Sequence, residues 1–406
     1  MSSASSRFSS RSIATRVMYG TAIVALLAFG VAAAASYLRS SQALLTGARA
    51  TMEGLASLEA QRISGELGRA FDGNEALAHA LLAQRAGDGV SRAAAGAVIR
   101  RQLEAHPEWV GVGTLWEPDA FDGQDAALVA AEGHDDTGRF MSYWAWSDGA
   151  PLLEALRDYE VPGAGDWYLR PRALKRQTVA EPYNYEIAGK PVLMTTLSTP
   201  VLDKDTFLGA VTVDFGLAAL QERLAALRPM GEGHVELISP GGIVLAAQDA
   251  KEIGKRRDDA ATRRILAAVG ADKPYEDFSV DAAGNVKAYV PLRIGTSQER
   301  FALGVVVPHD LITAQARSLL WIILAVGLGA ALVLSASVYV LLRRLAIRPL
   351  AEAVRLSADV AEGRLDTALP PPRNDEVGRL LESMQRMRSQ VRAVMAAQGE
   401  MAQRHE

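Results

Sequence analysis

The segment Asp158-Tyr159-Glu160-Val161-Pro162-Gly163-Ala164-Gly165-Asp166-Trp167-Tyr168 opens the part of the chain on which its reading turns. From there the chain runs through Pro182-Tyr183-Asn184-Tyr185 and ends the stretch in Gly209-Ala210-Val211-Thr212-Val213-Asp214. Nowhere else do aromatic rings and carboxylates alternate so densely. Ring faces attract cations, and carboxylates form charge-assisted hydrogen bonds with ammonium groups, so this mixture suits a small organic cation. The same stretch decides the fold class. Lys190 to Leu202 and Phe207 to Asp214 are rich in Val, Thr and Leu, as strands are, and Leu217 to Leu227 has the spacing of a short amphipathic helix. Strands beside helices in this order predict an α+β domain.

Working outward, more β character precedes the stretch. Val110 to Trp116 is apolar, and Arg139 to Trp146 holds Phe140, Tyr143, Trp144 and Trp146. Trp144 and Trp146 fall on one face of such a strand, as Tyr183 and Tyr185 do on another. A second, smaller β-rich unit follows in His234 to Ala247, Glu276 to Val280, Asn285 to Arg293 and Phe301 to Val307, with turns at Gly241-Gly242 and Gly284-Asn285. Before both units, Arg39 to about Leu82 reads as one long helix, since Leu44, Ala48, Met52, Leu55, Ile63, Leu67 and Phe71 recur at spacings of three and four. Glu59 interrupts that stripe. A second helix covers Ser91 to Ala105.

Farther out lie two charge-free runs. Val17 to Leu38 is roughly 22 residues, about 33 Å as a helix, and Ser318 to Leu342 is longer still. Arg7, Arg11 and Arg16 precede the first run; Arg343, Arg344 and Arg348 follow the second. Basic flanks on the outer sides of both runs put both chain ends in the cytoplasm and export what lies between. Ala32-Ala33-Ala34-Ala35-Ser36 offers a signal peptidase small residues, but the run is longer than a signal core of about 7–15 residues. Gly327 and Ala331 would let span helices approach closely in a dimer.

After the second run come Ile347-Arg348-Pro349-Leu350, a helix to Glu362, Gly363, a connector with Leu365, Leu369 and Pro370-Pro371-Pro372, and a second helix opened by Asp375-Glu376-Val377-Gly378. Val377, Leu380, Met384, Met387, Val391 and Val394 form the seam of a parallel coiled coil.

Composition narrows the functions. Among 406 residues, 43 Lys+Arg face 47 Asp+Glu, so nucleic acid is not an expected partner. There is no cysteine, which excludes disulfides and thiol nucleophiles. The six histidines are scattered without metal-ligand spacing. Neither a phosphate-cradling Gly-x-x-x-x-Gly-Lys-Ser/Thr loop nor a Gly-x-Ser-x-Gly elbow is present, so no enzyme activity, metal or cofactor is expected.

These segments carry family resemblances. Arg348-Pro349-Leu350, Gly363 and Asp375-Glu376-Val377-Gly378 resemble a HAMP domain over 343–395, which implies an all-α parallel four-helix coiled coil formed as a dimer. Asp166-Trp167-Tyr168, Glu181-Pro182-Tyr183, Gly189-Lys190-Pro191-Val192-Leu193-Met194-Thr195-Thr196 and Gly209 to Asp214 resemble a double Cache sensor, a tandem PAS-like fold with a long N-terminal helix. The whole order is similar to the bacterial methyl-accepting chemotaxis proteins. It implies a cytoplasmic tail (1–16), a transmembrane helix (17–38), a periplasmic double Cache domain (39–317, with a membrane-distal module about 83–230 and a membrane-proximal one about 231–307), a second transmembrane helix (318–342), HAMP (343–395) and the start of a cytoplasmic signalling helix (396–406). Localisation in the bacterial inner membrane, homodimerisation and output through a chemotaxis coupling protein and kinase beyond residue 406 follow from the same likeness.

In amino-acid-binding members of that family an Arg two residues before Trp-Tyr clamps the ligand carboxylate; that position here is Gly165. Two Asp residues hold the ligand amine; the positions here are Tyr185 and Asp214. The carboxylate clamp is missing and half of the amine contact is kept, with an aromatic added. The expected ligand is therefore a biogenic amine, polyamine or quaternary ammonium, held by Trp167, Tyr168, Asp214, Asp166, Tyr183, Tyr185, Trp144, Trp146, Asp158 and Tyr159. A purine-like heterocycle and an amino acid remain as other ligands, and a histidine kinase or diguanylate cyclase as other outputs. For single residues there are plainer readings: Asp214 as the cap of the helix from Leu217, Asp166 as a turn residue, and Trp167 and Tyr168 as core packing.

Overall fold

The computed structural model describes residues 13–87, 91–362, 364 and 374–403. The chain divides into one compact unit, Gln42–Ala314, and a second made of the described parts of Met1–Ser41 and Gln315–Glu406. Gly363, Leu365, Leu369 and the prolines at 370–372 lie outside the described residues, as do Arg7 and Arg11.

Helix α1 (Ile13–Ala86) supplies the backbone of the larger unit from residue 42 onward. The stripe read from the sequence is its buried face: Ala48, Met52, Ile63, Leu67 and Phe71 join one core with residues of both sheets. The Met52, Ile63, Leu67 and Phe71 side chains each contribute about 1.5–3 kcal/mol on leaving water. Glu59 is buried within that stripe, its Oε1 accepting from Arg62 at 3.1 Å.

The first module begins with α2 (Arg92–Ala105), capped by the Ser91 hydroxyl, which accepts from the Ala94 N–H. Its strands are β1 (Gly111–Trp116), β2 (Met141–Ser147), β3 (Ala150–Glu154), β4 (Thr178–Val179), β5 (Tyr183–Ile187), β6 (Lys190–Asp203) and β7 (Thr206–Gly216). They form an antiparallel sheet in the order β3-β2-β1-β7-β6-β4, with β5 also on β6. Helices α3 (Asp166–Leu174) and α4 (Leu217–Ala225) complete it. One face of the sheet packs on α1 and α2. The other carries Leu115, Met141, Tyr143, Leu156, Tyr159, Trp167 and Tyr168 in a separate cluster.

The second module is a five-stranded sheet, β10-β11-β12-β8-β9, from β8 (His234–Ile238), β9 (Val244–Ala246), β10 (Tyr275–Asp277), β11 (Asn285–Arg293) and β12 (Arg300–Pro308), with α5 (Ala260–Gly270) against it. The stretch His234 to Ala247 forms two strands about the turn expected at Gly241-Gly242, where Gly242 takes φ +88° and closes a turn between Ser239 and Ile243. The α+β class holds in both modules.

In the other unit, α6 (His309–Leu342) passes through a π-helical turn at Arg343–Ile347 into α7 (Arg348–Ala361). Both α1 and the run His309–Ala361 contain stretches long and apolar enough to cross a membrane. Gly327 is used inside the chain: a Cβ there would lie 2.7 Å from the Phe29 Cβ. Helix α8 (Glu376–Gln403) is opened by the Asp375 carboxylate, which accepts from the Gly378 N–H at 2.8 Å. Leu381 is buried, as are Ala353 and Leu356 of α7, whereas Leu380, Met387 and Val394 of the expected seam stay exposed in a single chain. That distribution leaves an apolar stripe of α8 unburied within one copy.

Candidate functional site

Asp214 lies near the end of β7 in the middle of the first sheet, opposite Gly111 on β1 and Thr196 on β6. Its side chain is 3% exposed. The Tyr143 hydroxyl donates to Oδ2 at 2.8 Å and the Thr196 hydroxyl to Oδ1 at 2.6 Å. Among the described residues no cation pairs with it. The Asp214 side chain does not cap α4: Gly216 is the cap residue and no side-chain cap bond forms.

Burial without a counter-charge pushes the Asp214 carboxyl up to about 6, against the downward pull of the Thr196 and Tyr143 hydrogen bonds. Three tyrosines surround it. Tyr143 and Tyr185 meet edge to face at 6.0 Å, and Tyr183 and Tyr185 at 6.3 Å. The Tyr183 hydroxyl lies 2.7 Å from the Thr196 hydroxyl. Burial raises Tyr143, Tyr183 and Tyr185, the last to about 12, so all three stay neutral near pH 7. Tyr183 and Tyr185 are partly buried and form the outer part of the cluster.

The ten expected residues divide among four places. Asp214, Tyr183 and Tyr185 are brought together as above. Trp167 and Tyr168 sit in the first turn of α3, buried in the same apolar cluster. The Tyr168 hydroxyl donates to Glu117 at 2.5 Å and accepts from Arg139 at 2.8 Å, so its polar end is already engaged. Trp167 Nε1 is buried without a partner, a donor that only water or a ligand can satisfy. Asp166 opens α3 and accepts from the Gly163 N–H at 2.9 Å. Tyr159 donates to Asp135 at 2.5 Å, and with exposed Asp158 it lines an open groove of about 880 Å³ that also holds Arg139 and Asp119.

Trp144 and Trp146 are not with the others. They point from β2 toward the core face, packing with α1 and α2, while Tyr143 and Ala145 take the cluster face. Strand alternation makes this unavoidable: the side chain between the two tryptophans is the wrong one for their face. Trp144 instead lies under the Arg100 guanidinium at 5.2 Å. Tyr143 and Thr196 are what the sequence reading missed. Register supplies the signal that would have found Tyr143, because a strand offering Trp144 to one face offers Tyr143 to the other.

Gly165 is the cap residue of α3, and a Cβ there would stand 2.5 Å from both the Asp158 and Tyr159 carbonyl oxygens. No side chain fits at that position with the backbone as it stands. A small apolar cavity of about 100 Å³ lies elsewhere, between the modules, lined by Leu67, Phe215, Leu220, Leu237, Leu292 and Phe301.

The chain has tandem sheet modules packed on a long helix, two helices of membrane-spanning length and, C-terminal to them in sequence, a pair of further helices. Residues 95–222 match the family model described as methyl-accepting chemotaxis protein-like, first PDC sensor domain, and residues 341–393 match that of the HAMP domain. The chain is 28% identical over 318 residues to the methyl-accepting chemotaxis protein TlpQ of Pseudomonas aeruginosa, an alignment covering 70% of this chain and 43% of that relative. The chain thus spans under half the length of the curated relative it matches. Among solved structures it is similar to methyl-accepting chemotaxis protein X (26% identity, TM-score 0.54, 66% of this chain and 99% of that one). The periplasmic sensory domain of the Campylobacter jejuni chemoreceptor Tlp1 shares the fold at 11% identity (TM-score 0.53, 66% and 98% covered). So does an extracellular domain assigned to a histidine kinase, mmHK1S-Z2 (24%, TM-score 0.55, 66% and 98%). The chain carries a chemoreceptor-type PDC sensor and a HAMP domain.

Proposed function

We propose that this chain is the sensor and relay part of a two-pass inner-membrane chemoreceptor, acting as a homodimer, whose first module binds a small organic cation from the periplasm. The reading rests above all on Asp214, a buried carboxylate with hydroxyl donors, tyrosine rings and no cation of its own. An ammonium group placed there would supply the missing charge, and the neutral rings would add cation–π attraction. Gly165 supports a ligand without a carboxylate, since the position that carries the clamping Arg in amino-acid-binding relatives has no room for a side chain. Binding acts on signalling only through its different affinity for two arrangements of the helices behind the sensor. No catalytic role is proposed.

A zwitterion is the second reading, favoured by one observation. Arg157 is exposed, its backbone N–H donates to the Tyr185 hydroxyl at 3.2 Å, and its positive charge acts on that hydroxyl. Calorimetry on the full chain in detergent separates the two. Carboxylate-free amines should bind, and Asp214→Asn should weaken them by more than about 1 kcal/mol. If instead free amino acids bind tightly and Arg157→Ala abolishes it, the zwitterion reading replaces the first.

A further inference from the structure

The second module repeats the essential arrangement around Asp214, with one addition. Glu236 on β8 is buried and stands opposite Gly304 on β12, as Asp214 stands opposite Gly111. The Tyr289 hydroxyl of β11 donates to Glu236 at 2.5 Å, as Tyr143 does to Asp214. In both modules the tyrosine ring lies over the glycine strand to reach the carboxylate. A Cβ at Gly304 would collide with the Tyr289 ring, and one at Gly111 with the Tyr143 hydroxyl. In each sheet, then, tyrosine, glycine and carboxylate occupy three adjacent strands: β2, β1, β7 in the first and β11, β12, β8 in the second.

The addition is Arg257. Its two terminal nitrogens donate to the two Glu236 oxygens at 3.0 and 3.2 Å, a fork on a carboxylate. Arg257 comes from the connection between β9 and α5, held in place by its own N–H to the Gly242 carbonyl at 2.9 Å. The helical connection of the first module, between β3 and β4, contains α3 and the segment that covers the tyrosine cluster; along the chain tyrosine precedes the carboxylate in the first module and follows it in the second. His234 stands 3.7 Å from Glu236 on the same strand, and Asp259 and Glu252 act on Tyr289 and Arg257 from the same connection.

We infer that the second module contains a tyrosine–carboxylate cation site of the same kind, filled by the chain's own Arg257, and that its latent ligand class is an alkylguanidinium or alkylammonium. The internal guanidinium occupies the position a soluble cation would take, so external amines act on the first module alone. The electrostatics agree: burial would raise Glu236, but bonds from His234, Arg257 and Tyr289 outweigh it and hold the carboxyl at about 2, where Asp214 without a cation sits near 6. The parallel between modules rests on the amine reading of Asp214; the Glu236–Arg257 cluster stands without it.

Emptying the site tests this. The full chain in detergent is prepared as D214N, D214N/R257A and D214N/R257A/E236Q, so that the first module contributes no response, and melted with millimolar n-propylguanidinium or with uncharged n-propylurea. The expected result is a saturable rise in Tm of several degrees with propylguanidinium in D214N/R257A alone, with no rise for propylurea. Should D214N/R257A fail to fold, recovery of folded chain on purification in propylguanidinium is the readout. The inference is overturned if propylguanidinium neither stabilises nor recovers that variant. An equal response in the E236Q variant, in D214N with Arg257 intact, or to propylurea also overturns it. Amine binding by the wild-type chain is measured separately, so the fate of the Asp214 reading does not decide this one.

Discussion

A carboxylate ionised in the dry middle of a sheet is a liability to the empty protein. With its folded-state value near 6 against 3.8 in the open chain, Asp214 favours folding fully only below the unfolded value, and that support is lost as pH rises through about 6. At neutral pH the deficit is on the order of 3 kcal/mol. Asp214→Asn should therefore raise the Tm of the ligand-free chain at pH 7.5, with the gain vanishing below about pH 4; a melt series over that range checks it. On the proposed amine reading the ionised form receives the ammonium, so amine affinity in the wild type should fall as pH drops through 6, whereas the Asn variant should show a flat, weak profile. A Tm gain without loss of binding would reduce Asp214 to a misplaced charge.

Between elements, the glycines set what the strands can carry. Gly111 exists so that Tyr143 can cross β1 and reach β7. Gly111→Ala should displace that ring, destabilise the chain by about 1–3 kcal/mol and weaken amine binding together. Gly165→Arg should not install a carboxylate clamp: with no room for a Cβ it should lower Tm and leave amino acids unbound. Periodicity made much of the fold legible. The buried face of α1, strands β6, β7, β11 and β12, and α2 with its Ser91 cap all follow from spacing and cap chemistry. Helix α3 did not, because Asp166-Trp167-Tyr168 has a Pro at 171 behind it and reads as a turn with aromatics. The tyrosine–carboxylate cluster, as a candidate site, was half legible. Asp214, Tyr183 and Tyr185 sit where strand alternation puts them, but Tyr143, Thr196 and the Glu236–Arg257 pair depend on which strands become neighbours, and that ordering is not written in any one segment.

For the whole molecule, the close fit of Gly327 against Phe29 belongs to one chain and not to a pair of chains. With no native cysteine to interfere, Phe29→Cys combined with Gly327→Cys should oxidise to a species of single-chain mass on a non-reducing gel; a product of doubled mass would place that contact between copies instead. The exposed Leu380, Met387 and Val394 are the complementary case, a stripe left bare in one chain that the proposed dimer would cover. Where α6 becomes α7, the backbone winds for one turn at Arg343–Ile347 with more residues than an α-helix uses. That surplus acts like a spare tooth in a gear train. Excising one residue there would let the rod close into uninterrupted α-winding and spin every side chain downstream by about 100°, so the facing of α7 is set by this single wide turn.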